Sequence, residues 1–245
     1  MQCYLNLAGY RFVDIDDPEA LRASLDRSAA RLGLLGTILV APEGLNLFLA
    51  GAARSVETFV AELDADPRFA GMMLRRTVSD GVPFKHLRSK VKPEIITMRG
   101  TPVRPGLARA SSIEPVELLR WLDQGHDDAG RPLVLLDTRN TFEVEAGSFD
   151  AATHWNLENF GQFPQAVDAR AGELAGKTVV TFCTGGIRCE KAALVLDQAG
   201  VDHVRQLEGG ILNWFEQVGS QHWHGECFVF DERRAVAAEA IAPGL

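Results

Sequence analysis

The chain has 245 residues, 46% of them hydrophobic and 24% charged, with a formal net charge of -8 at pH 7. That balance leaves room for one or two domains with cores of their own; it excludes disordered and fibrous classes, and no run reaches the ~18 consecutive apolar residues that would span a membrane. Four cysteines (Cys3, Cys183, Cys189, Cys227) are too few for a disulfide scaffold and contain no CxxC pair, and the first residues lack a basic-then-apolar leader, so a reduced, cytoplasmic protein is expected.

In chain order, residues 3–13 read as a strand. Asp16-Asp17-Pro18 then supplies a helix start, with Leu21, Leu25 and Leu32 spaced for one buried face. Residues 37–40 and 45–49 are short strands joined by a hairpin-like turn over 41–44. A helical pattern with Val56, Phe59, Val60 and Leu63 follows, then a strand over 72–78. This βαββαβ order predicts a ferredoxin-like arrangement. It holds no catalytic cluster.

Residues 79–112 are broken by Pro83, Pro93, Pro102 and Pro105, with 94–98 as a candidate strand. The domain boundary is placed at 105, giving a first domain over 1–105 with a basic connector. Residues 75–109 carry nine Lys and Arg against only Asp80 and Glu94. A basic island in an acidic chain attracts phosphate at one face, which makes Lys85, Arg88, Lys90 and Lys92 candidate RNA contacts. The other reading is a solvated linker. The negative total argues against a general nucleic-acid binder, and no DNA partner is expected.

From residue 113 the pattern becomes a second α/β unit, assigned to 106–222, with 223–245 as a tail. Helix 115–122, strand 133–137, a short helix at 142–146, a weak strand at 153–155, strand 178–182, helix 189–198, strand 204–207 and helix 211–218 alternate. Near-continuous apolar strands between helices indicate a parallel, helix-covered sheet. The overall class is α/β.

The informative segment is Cys183-Thr184-Gly185-Gly186-Ile187-Arg188-Cys189-Glu190-Lys191, which follows the apolar strand. Cys183 therefore ends a parallel strand, where open α/β sheets place ligands. The glycines let backbone N–H groups of the loop converge, and the next helix adds its positive end. Both favour an anion, so Cys183 is expected to be a nucleophile with a lowered pKa, within a binding loop formed by Thr184, Gly185, Gly186, Ile187 and Arg188. The alternative is a buried cysteine that merely ends a strand.

Cysteine phosphatases space their cysteine and arginine as Cys-x5-Arg; here Arg188 comes one position early, which suits a single sulfur atom better than a phosphate. The loop is of the rhodanese type, and residues 113–220 resemble a rhodanese domain. CTGGIRCEK, the PEIITM run at 93–98, the APEGLN hairpin at 41–46 and the ending WHGECFVFDERR at 223–234 occur together. In these the chain resembles the rhodanese-containing family of bacterial tRNA wobble-uridine hydroxylases. The resemblance implies oxygen-dependent conversion of the wobble uridine to 5-hydroxyuridine, tRNA as partner, molecular oxygen as co-substrate, and Cys183 as the essential cysteine. Longer members carry a cysteine-rich extension beyond the point where this sequence stops.

Other roles stay open. Cys189 could resolve an oxidised Cys183 or simply pack inward. Arg188 could hold substrate or pair with Glu190 or Asp137. Asp137 and Arg139 are expected to organise the loop from behind. His222 and His224 lack a third ligand of fitting spacing, so no metal is expected, and no other cofactor motif is evident. Trp121, Trp155, Phe160 and Phe163 are read as core rather than as base-stacking platforms. A persulfide-carrying sulfurtransferase and a non-enzymatic RNA-binding adaptor are the competing functions, and the sequence leaves the oligomeric state open.

Overall fold

The structure is a computed structural model that describes residues 3–98, 103–107 and 110–241. The chain forms two compact units, one over residues 1–95 with 231–233, the other over 96–230 with 234–243. The division thus falls before the expected boundary at 105.

In the first unit β1 (Tyr4–Phe12) leads to α1 (Pro18–Arg31), where Asp17 accepts the Ala20 N–H at 2.9 Å and Pro18 takes the first turn. Its buried stripe is Leu21, Leu25 and Ala29; Leu32 lies past the helix end and packs only partly. The strands β2 (Leu35–Ala41) and β3 (Gly44–Ala52) form the hairpin, followed by α2 (Ala53–Asp64), which buries Val56, Phe59 and Leu63, and by β4 (Leu74–Ser79). The sheet order β4-β1-β3-β2 is that of the split βαβ arrangement, since β3 and β4 both pair antiparallel with β1.

A fifth strand corrects the sequence reading. Residues Leu87–Val91 form β5, parallel to β2 at the sheet edge, whereas residues 94–98 form no strand. The alternation is the reason: Leu87 and Val91 pack against the core and Ser89 donates to Asp26 of α1 at 2.6 Å, while Arg88 and Lys90 point to solvent. A five-residue strand with polar alternate positions looks like a linker until its partner is known.

In the second unit, β6 (Ser112–Ile113), α3 (Pro115–Gln124), β7 (Leu133–Asp137), α4 (Thr141–Val144), β8 (Gly147–Phe149), β9 (Thr153–His154), α5 (Phe163–Arg170), β10 (Thr178–Phe182), α6 (Ile187–Gln198), β11 (Val204–Leu207) and α7 (Gly210–Gln217) follow in order. The sheet runs β6-β11-β10-β7-β9 with every pairing parallel. All five residues of β10 are buried, as expected for a central strand with helices on both faces. Trp121, Trp155, Phe160 and Phe163 are buried in its two cores.

Residues read as a tail belong to this unit. β12 (Trp223–Gly225) pairs with β8, and β13 (Cys227–Phe228) pairs with β14 (Ala235–Val236). Trp223, Cys227, Val229, Val236 and Ile241 join one core with Phe149, Phe182 and Trp214. The Phe149 ring meets those of Phe182, Trp214 and Trp223 edge to face at centroid distances of 4.8–5.1 Å. Among the described residues, no helix is long and apolar enough to cross a membrane.

Candidate active site

Strand β10 delivers Cys183 to the carboxyl edge of the parallel sheet, and the chain turns through Gly185 and Gly186 into α6. Gly186 sits at φ 97°, a left-handed conformation open to glycine, and no side chain caps the helix. The vacant N–H groups of the first turn are thereby directed at the cysteine. Gly186 N lies 3.1 Å from Cys183 Sγ, and the Arg188 N–H also donates to it. From the other side, α7 grips the loop, with Ile211 N donating to Cys183 O at 2.9 Å and Leu212 N to Thr184 O at 3.1 Å. Gly210, at φ 66°, allows this approach, because a β-carbon there would collide with the Cys183 carbonyl. Thr184, Gly185 and Ile187 are the partly exposed members of the loop, whereas Cys183 itself is fully buried.

Arg188 does not take either expected partner. Its guanidinium is clamped bidentately by Glu143 of α4, at 2.6 and 2.7 Å, with both side chains almost completely buried. Glu143 is in turn fixed by accepting the Asn140 N–H at 3.0 Å, part of a capping box that starts α4. Burial works against the Arg188 charge, but the hydrogen bonds and charge of Glu143, with the Cys183 sulfur beside it, raise its pKa and hold it cationic. Glu143 is a residue that spacing alone did not mark: it lies 45 positions before Arg188, and only folding brings it to the loop.

Burial pushes the Cys183 thiol up. The hydrogen bond from the Cys189 thiol, the Arg188 charge and the Arg188 and Gly186 N–H groups outweigh it and bring the thiol down to about 5. Cys189 goes the other way, well above the ordinary thiol value, because it is buried and faces the Cys183 sulfur; its own Sγ lies 3.8 Å from the Thr138 hydroxyl. Burial pushes Cys227 up to about 12, with its thiol directed at the Phe228 carbonyl. One buried thiolate and two protonated thiols result.

Asp137 and Arg139 lie behind the loop. They form a fully buried ion pair at 2.6 Å, and Arg139 also donates to Gly147 O at 2.8 Å, its guanidinium placed over the rings of Phe182 and Trp223. They pin β7 to β8, and their side-chain hydrogen bonds go to each other, to Ser148 and to the Glu143 and Gly147 carbonyls rather than to Cys183 or Arg188. His222 and His224 face separate carboxylates, Asp123 at 2.7 Å and Asp150 at 3.4 Å. Among the described residues no cluster of three or more His, Cys, Asp or Glu side chains could hold a metal ion.

The basic candidates lie in the first unit. Arg88 and Lys90 are exposed on one face of β5 and Lys92 is exposed just after it; Lys85 pairs with Glu232 at 2.8 Å. Arg76 of the same island pairs with Glu57, and Arg99 and Arg109 lie outside the described residues.

Known proteins match along this architecture. The description "UPF0176 acylphosphatase like domain" matches residues 4–95, and "Rhodanese-like domain" matches 114–217. The chain is 54% identical over 242 residues to the tRNA uridine(34) hydroxylase of Variovorax paradoxus, covering 99% of this chain and 92% of that one. It is 53% identical to that of Cupriavidus pinatubonensis, covering 95% and 82%, and 51% identical to that of Bordetella petrii, covering 99% and 96%. With likeness at this level over 95–99% of this chain and 82–96% of these relatives, the chain belongs to the tRNA uridine(34) hydroxylase family.

Proposed function

We propose that this protein hydroxylates the wobble uridine of tRNA to 5-hydroxyuridine, with the Cys183 thiolate as the reacting group. The observation that carries the reading is the anion cradle: a sulfur at a strand end, two backbone N–H groups aimed at it, and a guanidinium locked beside it by Glu143. A thiolate stable at neutral pH is a ready nucleophile. Added to C6 of the uracil ring, it places negative charge at C5, the carbon to be hydroxylated. The charge of Arg188, held from behind, stabilises the sulfur anion before addition and after release. Molecular oxygen is the proposed oxygen source, with a cellular reductant supplying the two electrons that take its second atom to water. The exposed cations Arg88, Lys90 and Lys92 are the proposed phosphate contacts, and cytoplasm is the proposed location, where tRNA is found.

The test is nucleoside mass spectrometry of tRNA from cells whose only copy is Cys183→Ser. Loss of 5-hydroxyuridine supports the reading. Retained 5-hydroxyuridine with loss of thiosulfate-to-cyanide sulfur transfer would favour a sulfurtransferase instead.

A further inference from the structure

Beside the cysteine loop runs a ladder of three aromatic rings that the proposed chemistry does not use. Phe142 of α4 meets Phe228 of β13 edge to face at 5.1 Å, and Phe228 meets Phe230 in the same way at 5.2 Å. The middle ring is tied to the site, since the Phe228 carbonyl accepts from the hydroxyl of Thr184, the residue after Cys183, at 3.4 Å. The first ring is tied to it as well, since Phe142 directly precedes the Glu143 that clamps Arg188. Yet the outer rings are left in solvent: Phe142 is 46% exposed and Phe230 55%. Large rings held in water at the rim of a site mark a binding surface.

We propose that Phe142 and Phe230 form the stacking platform for the unpaired bases that flank the target uridine, with Arg234 meeting an adjacent phosphate. The inference rests on the tRNA-hydroxylase reading and specifies how that site takes its substrate. Single-stranded RNA presents unstacked bases, and aromatic faces hold them irrespective of sequence. Arg234 supplies the matching charge. It is exposed, it stands opposite Val229 through the 2.8 Å bond from Val229 N to Arg234 O, and its φ of 63° turns the chain sharply at that point. Aromatic faces beside the cysteine loop, with a cation on the same β13–β14 hairpin as Phe228, fit a nucleic acid better than an apolar peptide, which has no use for the cation.

The experiment uses the full chain and a tRNA with 2-aminopurine beside the target uridine, read by fluorescence quenching on binding. Phe142→Ala and Phe230→Ala should each weaken tRNA binding and raise KM roughly five- to hundredfold, the range for removing one base stack. Quenching should fall with them, while kcat at saturating tRNA and the Cys183 thiolate absorbance stay near wild type. Phe230→Trp should restore both quenching and KM. Arg234→Gln should lower affinity more weakly and reduce its salt dependence. Wild-type binding and quenching in both alanine variants would overturn the proposal while leaving the hydroxylase intact, as would a fall in kcat with unchanged affinity. A wild-type chain that neither binds nor hydroxylates tRNA would overturn the hydroxylase reading, and this inference with it.

Discussion

Two sets of arginines and lysines in this chain do opposite work. In the second unit, Arg188 and Arg139 are buried, each held by a carboxylate through paired hydrogen bonds, with no freedom to seek other partners. In the first unit, Arg88, Lys90 and Lys92 stand in solvent on or beside an edge strand, and Lys85 shares only a surface pair with Glu232. Buried charge is costly to isolate and so fixes geometry; removing one partner leaves the other uncompensated. Exposed charge can be removed at little cost to the fold, and acts through its field on a polyanion. A substitution in the buried set should therefore be felt as impaired chemistry and stability, and one in the exposed set as altered tRNA affinity.

The largest effect is expected at the sulfur that the buried set serves. Cys183→Ser should remove 5-hydroxyuridine from tRNA entirely, since a serine hydroxyl yields no anion near neutral pH in the same cradle. The fold should survive, because size and loop shape are kept.

Next comes the clamp. Glu143→Gln leaves the Arg188 charge buried without its counter-charge and should destabilise the chain by about 3–5 kcal/mol in urea unfolding. Pairing Glu143→Leu with Arg188→Met should recover much of that stability without recovering activity. If the single variant unfolds like wild type, the contrast between the two sets of charges collapses.

A smaller effect follows from pH. The folded thiol pKa of Cys183 lies below its ordinary value of 9.0, so folding favours the anion. That contribution to stability is complete above 9.0, shrinks as pH falls, and is gone below about 5. Thiolate absorbance should therefore show one step near pH 5 in the wild type that is missing from Cys183→Ser. Cys189 and Cys227, raised by burial, should add nothing at neutral pH. A first thiolate step at 9.0 or above in the wild type would show that the cradle does not act on the sulfur.

The mildest change is expected on the exposed set. Reversing charge at Lys90 and Lys92 should leave stability within about 0.5 kcal/mol and weaken tRNA binding, with the salt slope falling by ~0.7–0.9 for each phosphate no longer neutralised. Unchanged binding and slope would return β5 to a purely structural role.

Features that depend on near neighbours in the chain were legible in the amino-acid sequence. The order βαββαβ, the strand at 178–182 and the glycine turn after Cys183 all follow from residues within a few positions of one another, and the structure keeps each of them. The remaining features took shape only in the folded molecule. β5 became visible when β2 offered it a parallel partner and α1 offered Asp26 to Ser89. The supposed tail became core when Trp223 paired with Phe149 across β12 and β8. Arg188 found Glu143, 45 positions away, rather than Glu190 or Asp137. Each of these joins segments far apart in the chain. Local propensity has no term for such a pairing, since its stability comes from burying both partners together.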